Sequence, residues 1–192
     1  MSIRTVVMSL IALFVLTLQG CIAITGEPRK EMIMQDVEYT KADSTNAFYQ
    51  SLSAGEMLYF SGTSHFTFSF NTSPNLSKER ASDIINTALK EANMYNENSH
   101  YSVNAEVISD GSCGELYSGC DGNIYRVTRE VSVKYTVVDN VGNIIASKVI
   151  TTDGTKKNFD TTLLKERRAA EIAYKRNLIE MINYLKERGD SL

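Results

Sequence analysis

The chain has 192 residues, a formal charge of −3, 43% hydrophobic and 22% charged residues, two prolines and no tryptophan. Such a composition excludes a disordered or collagen-like chain, and a sequence pI near 5.5 argues against a nucleic-acid binder, which needs a basic face for phosphates. The length suits one domain, with or without a tail.

The apolar residues crowd at the start. Within residues 1–20 the one charged side chain is Arg4, and Val6 to Leu18 is a 13-residue run broken only by Ser9 and Thr17. As a helix this run is about 20 Å long, short of the roughly 30 Å hydrocarbon core of a bilayer. A basic start, a short apolar stretch and a small residue at its end fit a secretory signal peptide over residues 1–20, rather than a spanning anchor.

The next feature is Leu18-Gln19-Gly20-Cys21, which resembles the lipobox of bacterial lipoproteins: an aliphatic residue, a small residue, then the cysteine that is acylated. The resemblance implies a diacylglycerol thioether on Cys21, removal of residues 1–20, and acylation of the new amine, typically with palmitate. Of 192 residues, 172 would then remain, held to the lipid bilayer by chains contributing about 0.8 kcal/mol per buried CH₂. Ile22, where inner-membrane lipoproteins tend to carry Asp, implies the outer membrane with the domain facing the periplasm. The competing reading of Cys21 is a buried or disulfide-bonded cysteine behind an ordinary signal.

Residues 21–35 read as the lipidated N-terminus and tether, and 36–192 as a single periplasmic domain. A short strand is expected near Asp36 to Thr40. Met57 to Phe60 and His65 to Phe70 read as a hairpin, since Phe66, Phe68 and Phe70 alternate with His65, Thr67 and Ser69. A helix follows, with Ser77 as N-cap and Ala81, Ile84, Ile85, Ala88, Leu89 and Ala92 as its apolar stripe, ending in the polar run 93–99. Tyr101, Val103, Ala105 and Val107 alternate as a half-buried strand.

Cys113 and Cys120 come next, with Gly114, Gly119 and Gly122 around them to let the chain turn back. In an oxidising compartment they read as a local disulfide, contributing about 2–3 kcal/mol. The spacing is not Cys-x-x-Cys and both histidines lie far off in sequence, so no metal site is expected. A longer strand runs through Val127, Val131, Val133, Tyr135 and Val137, with a slip near Arg129 that suggests a bulge. Asp139-Asn140-Val141-Gly142-Asn143 is a turn, and Ile144 to Thr152 the returning strand. Leu163 to Arg188 reads as the longest helix, with Ala170, Tyr174, Leu178, Met181 and Leu185 inward and Gly189 as its stop. The expected fold class is α+β: a mostly antiparallel sheet with two helices packed on one face.

No nucleophile elbow, phosphate-binding loop or zinc-protease motif is present, and His65 and His100 have no nucleophile motif beside them. No cofactor is implied. Asn71-Thr72-Ser73 matches a glycosylation sequon, which has no meaning in a bacterium. Lys156, Lys157, Lys165, Arg167, Arg168, Lys175 and Arg176 are the one concentration of charge. They suit anionic lipid headgroups or an acidic partner, and equally a solvated helix face paired with Glu166, Glu171 and Glu180.

The order of Arg126 to Asn143, a second strand, then Arg167 to Leu178 is similar to small envelope lipoproteins that pair a hairpin with a terminal helix, among them the lipopolysaccharide-assembly lipoprotein. That similarity implies a non-enzymatic binding or assembly module with an envelope protein partner. Two rivals stand beside it: an envelope enzyme, acyltransferase or cell-wall hydrolase, built on His65 or His100, and a lipid carrier with an apolar cavity.

Overall fold

The computed structural model describes residues 26–62, 75–111, 126–157 and 162–192, without the side chains of 162 and 163. The expected signal peptide, Cys21, His65, Phe66, Phe68, Phe70 and the segment with Cys113 and Cys120 lie outside the described residues. The elements in chain order are α1 (Lys30–Met34), β1 (Leu52–Leu58), α2 (Lys78–Glu91), β2 (Tyr101–Ser109), β3 (Arg126–Asp139), β4 (Ile144–Lys157) and α3 (Thr162–Asp190). The fold is α+β: one four-stranded sheet in the order β1-β2-β3-β4 and three helices among the described residues.

The sheet is mixed. β2, β3 and β4 pair antiparallel, while β1 pairs parallel with β2. Met57 and Leu58, expected in the first arm of a hairpin, end β1, whose described partner is β2; the second arm, His65 to Phe70, lies outside the described residues. The parallel pairing has a topological reason. A parallel pair needs a crossover, and α2 stands between β1 and β2 in the chain to supply it. β1 carries a bulge between Ala54 and Met57, filled by the Asn104 side chain, whose Oδ1 accepts from the Glu56 N–H at 2.8 Å.

α2 follows its sequence closely. Ser77 accepts from the Arg80 N–H as N-cap, and the stripe Ala81, Ile84, Ile85, Ala88 and Leu89 is buried. The helix ends where Asn93 turns left-handed at φ 59°, with Met94 N–H on the Leu89 carbonyl and Asn93 N–H on that of Lys90. In β3 the inward residues Val127, Arg129, Val131, Val133, Tyr135 and Val137 alternate without interruption. Arg129 is therefore no bulge; it faces Gly154 in regular register and is 3% exposed, and the β3–β4 shift falls at Val137/Val138.

α3 buries Ala170, Tyr174, Leu178, Met181 and Leu185 as expected, but Gly189 does not stop it. Gly189 is a contact point, where a Cβ would stand 2.2 Å from Asn46 Oδ1. Two further expectations are corrected near the start. No strand forms at Asp36 to Thr40, and residues 26–35 are not free tether, because Ile33 of α1 is fully buried in the same core as α2, α3 and the strands.

Strands and long helices run lengthwise, so the domain has two ends. Gly26 lies near Arg167, Ser61 pairs with Ser77, Arg126 pairs with Lys157, and Gly154 meets the backbone at Ala169 at one end. The Asp139–Asn143 turn, the start of β2 and the ends of α2 and α3 occupy the other, joined through Ala42 to Ala92 and Ala47 to Gly189. Arg129 and Asp139, ten residues apart on β3, set the separation at about 34 Å.

Candidate functional site

The first described residues are fastened to the domain by polar contacts at Glu27, Arg29, Lys30 and Gln35 and by one apolar contact at Ile33. The Glu27 carboxylate accepts from Ser77 Oγ at 3.2 Å and pairs with Arg80 at 2.8 Å, placing an anion at the N-terminus of α2. Glu171, 3% exposed on α3, accepts from the Arg29 backbone N–H at 3.0 Å and from its Nε at 3.2 Å. Lys30 pairs with Asp83 at 2.8 Å, Lys175 donates to the Gln35 carbonyl, and Ile33 fills the gap between the helices. Together these contacts form a latch.

A polar chain links the buried Arg129, Asn75 and Tyr174 through the half-buried Asp110. The Arg129 Nε donates to the Asp110 carbonyl at 2.8 Å, with its Nη2 3.9 Å from the Asp110 carboxylate. That carboxylate accepts from Asn75 Nδ2 at 2.9 Å, and Asn75 Oδ1 accepts from Tyr174 Oη at 2.6 Å. Burial lowers the pKa of Arg129 against the opposing pull of Asp110, and raises that of Tyr174. Burial also raises the Glu166 carboxyl, with Arg129 pulling the other way. A second network, centred on the fully buried Asn177, ties α3 to the sheet. Asn177 Oδ1 accepts from Tyr135 Oη at 2.8 Å, and its Nδ2 donates to the Ile150 carbonyl at 2.9 Å and Thr152 Oγ1 at 3.2 Å.

The basic cluster is divided among partners. Lys165 is buried, Arg167 lies 3.8 Å from Glu171, Arg168 is half-buried, Lys175 reaches Gln35, and Arg176 binds Asp153 across on β4. Lys156 and Lys157 lie at the end of β4, facing Val127 and Arg126. Of the carrier's proposed core filling, Ile84, Leu178 and Met181 are buried in the core, and Phe66 and Phe68 lie outside the described residues. His100 is exposed, just before β2. Among the described residues no cluster of metal-ligating side chains occurs, and no helix is long and apolar enough to cross a membrane.

Glu27, Arg29 and Asn75 were not singled out from the sequence as site residues. Glu171 was named there only as a partner for the basic helix face, and Arg129 only as the place of a bulge. The contacts of Glu171 with Arg29 and of Tyr174 with Asn75 join residues 142 and 99 apart.

No family model and no curated protein matches the chain. Solved structures do. A DUF330-family protein of Xanthomonas campestris has 11% identity over 81% of this chain and 94% of its own, with a TM-score of 0.53. A minor lipoprotein of Acinetobacter baumannii has 12% identity over 74% and 92%, with a TM-score of 0.40. PelC of Paraburkholderia phytofirmans, a dodecamer, has 13% identity over 76% and 95%, with a TM-score of 0.43. At these identities only the first score shows a likeness of fold: the chain folds like the DUF330-family protein.

Proposed function

We propose that the chain is a lipid-anchored lipoprotein of the outer membrane, its α+β domain a non-enzymatic binding and assembly accessory to an envelope complex. The latch carries this reading. Glu27 is the sixth residue after Cys21, a span of at most about 20 Å, so an acylated Cys21 would hold the domain close to the bilayer by one defined end. The lipobox at Leu18 to Cys21 supplies the acylation site, and Ile22 favours the outer membrane. An accessory role is supported by how the buried polar groups are used. Arg129, Asp110, Asn75 and Tyr174 bind one another, and so do Tyr135, Asn177 and Thr152, so each group joins elements of the fold. The Cys113–Cys120 disulfide belongs to the same reading, as a staple suited to the periplasm.

The test is the intact mass of the protein extracted from membranes. A chain beginning at Cys21 with the added mass of its acyl groups is expected, and one beginning there without lipid overturns the anchor. Crosslinking in intact cells tests the accessory role. One stoichiometric protein partner is expected, and co-purifying lipid or glycan without such a partner favours the carrier or the enzyme instead.

A further inference from the structure

β4 is an edge strand: among the described residues no strand pairs with its outer side. Exposed edges template pairing with other chains unless something blunts them. The C-terminal half of β4 is blunted. Arg176 donates to the Asp153 carbonyl at 2.8 Å, and Gly154 lies so close to α3 that a Cβ would stand 2.0 Å from the Ala169 carbonyl oxygen. Among the described residues no comparable contact covers the half from Ile144 to Val149. Its one lysine, Lys148, is spent on the Tyr184 ring, 5.1 Å from the centroid. Ile144 and Val149 are 68% and 52% exposed, and Val141 in the adjoining turn is 82% exposed.

The turn that presents Val141 is fixed. The Asp139 carboxylate accepts from the Val141 N–H at 3.0 Å, the Asn143 N–H at 2.8 Å and the Asn143 side chain at 2.8 Å, and Gly142 takes a φ of 89° that a side chain would strain. Apolar groups displayed on a scaffold already ordered lose little entropy on binding.

We propose that the Ile144–Val149 half of β4 is a docking edge, accepting an extended segment of a different envelope protein by strand addition while Val141, Ile144 and Val149 seat its apolar side chains. The choice of occupant rests on the lipid-anchor reading. Val149 and Ile144, opposite Lys134 and Val138, lie about 17 and 30 Å along the sheet from the Arg129–Gly154 pair at the latch end, and the tether spans at most about 20 Å, so in an upright domain the edge lies on the side away from the bilayer. A second copy paired symmetrically through the same edge would run antiparallel. Its latch would point the opposite way, beyond reach of the same leaflet. Head-to-tail pairing through the sheet's other edge is obstructed, because β1 is bulged there and its Ala54 N–H is taken by Asn86 Oδ1 at 2.8 Å.

A photo-crosslinking residue in place of Val149 or Val141, in the full-length chain in intact cells, tests the proposal. Both positions should give one adduct with the same foreign protein, absent when the reporter replaces Tyr59, which is 70% exposed at the latch end. The adducted segment, made as a peptide, should slow amide exchange at Ile144–Val149 of the detergent-solubilised chain. Joint Ile144→Lys and Val149→Lys substitution should weaken that peptide at least tenfold with no change in Tm. An adduct with lipid or with a second copy, no adduct, or peptide binding without protection of Ile144–Val149 overturns the docking edge. The mass measurement is independent of these outcomes. Missing lipid mass removes the anchor, while a foreign-protein adduct at Val149 would still uphold the edge.

Discussion

Asn177 shows how a single polar side chain can decide where a helix sits. It is fully buried, so every bond it makes to Tyr135, Ile150 and Thr152 replaces one that water would otherwise supply. Asn177→Leu should cost about 3 kcal/mol in urea denaturation, because the Tyr135 hydroxyl and two β4 acceptors lose their partner. Adding Tyr135→Phe should cost little more, since the orphaned hydroxyl is then gone. Glu166 is a contrary case. Burial raises its pKa, so the native state binds its proton more tightly than the unfolded chain does. Native stability must then fall as pH rises through that raised value. Glu166→Gln removes the dependence: wild type and variant should match near pH 4, and the variant should melt higher at pH 7. Melting curves at the two pH values check the sign.

At the level of elements, the sheet and α3 meet at Gly154. A Cβ there would overlap backbone atoms of Ala169 and Ala173, which cannot swing aside as a side chain can. Gly154→Ala should therefore force α3 off β4 and cost about 3 kcal/mol or more by chemical denaturation. The long elements are also where sequence reading is strongest. Residues 78–91 follow the N-cap Ser77 and carry an unbroken 3–4 stripe, and β3 alternates before a strong turn signal that leads into β4. The β1–β2 pairing was not legible. Periodicity reports which face of a strand is buried, while parallel or antiparallel pairing depends on where the chain crosses over. α1 was missed for a related reason: five residues are too few to show a period, and Ile33 is buried by tertiary contacts alone.

On the scale of the whole molecule, the latch turns a tether into part of the domain. Arg29 and Lys30 are held by Glu171 and Asp83, so trypsin should cut there slowly. Glu27→Ala with Glu171→Gln should release the segment and speed that cleavage several-fold, with residues 36–192 still folded, as read by limited proteolysis and mass spectrometry. An unchanged cleavage rate would mean that Ile33 alone holds the segment. The sequence by itself determined the parts of the fold that are local: the capped α2, the β3–β4 hairpin and the inward stripe of α3; the signal peptide and the lipobox are expectations of the same local kind. Each follows from residues within a few positions of one another, where hydrophobic period, capping and turn chemistry act. Tertiary structure decided the rest: the parallel pairing of β1, the burial of Arg129, the latch through Glu27 and Arg29, and the contacts of α3 that cover β4 at Asp153 and Gly154. Those outcomes rest on contacts between residues far apart in the chain, whose cost and benefit are set only once the sheet and its helices have packed.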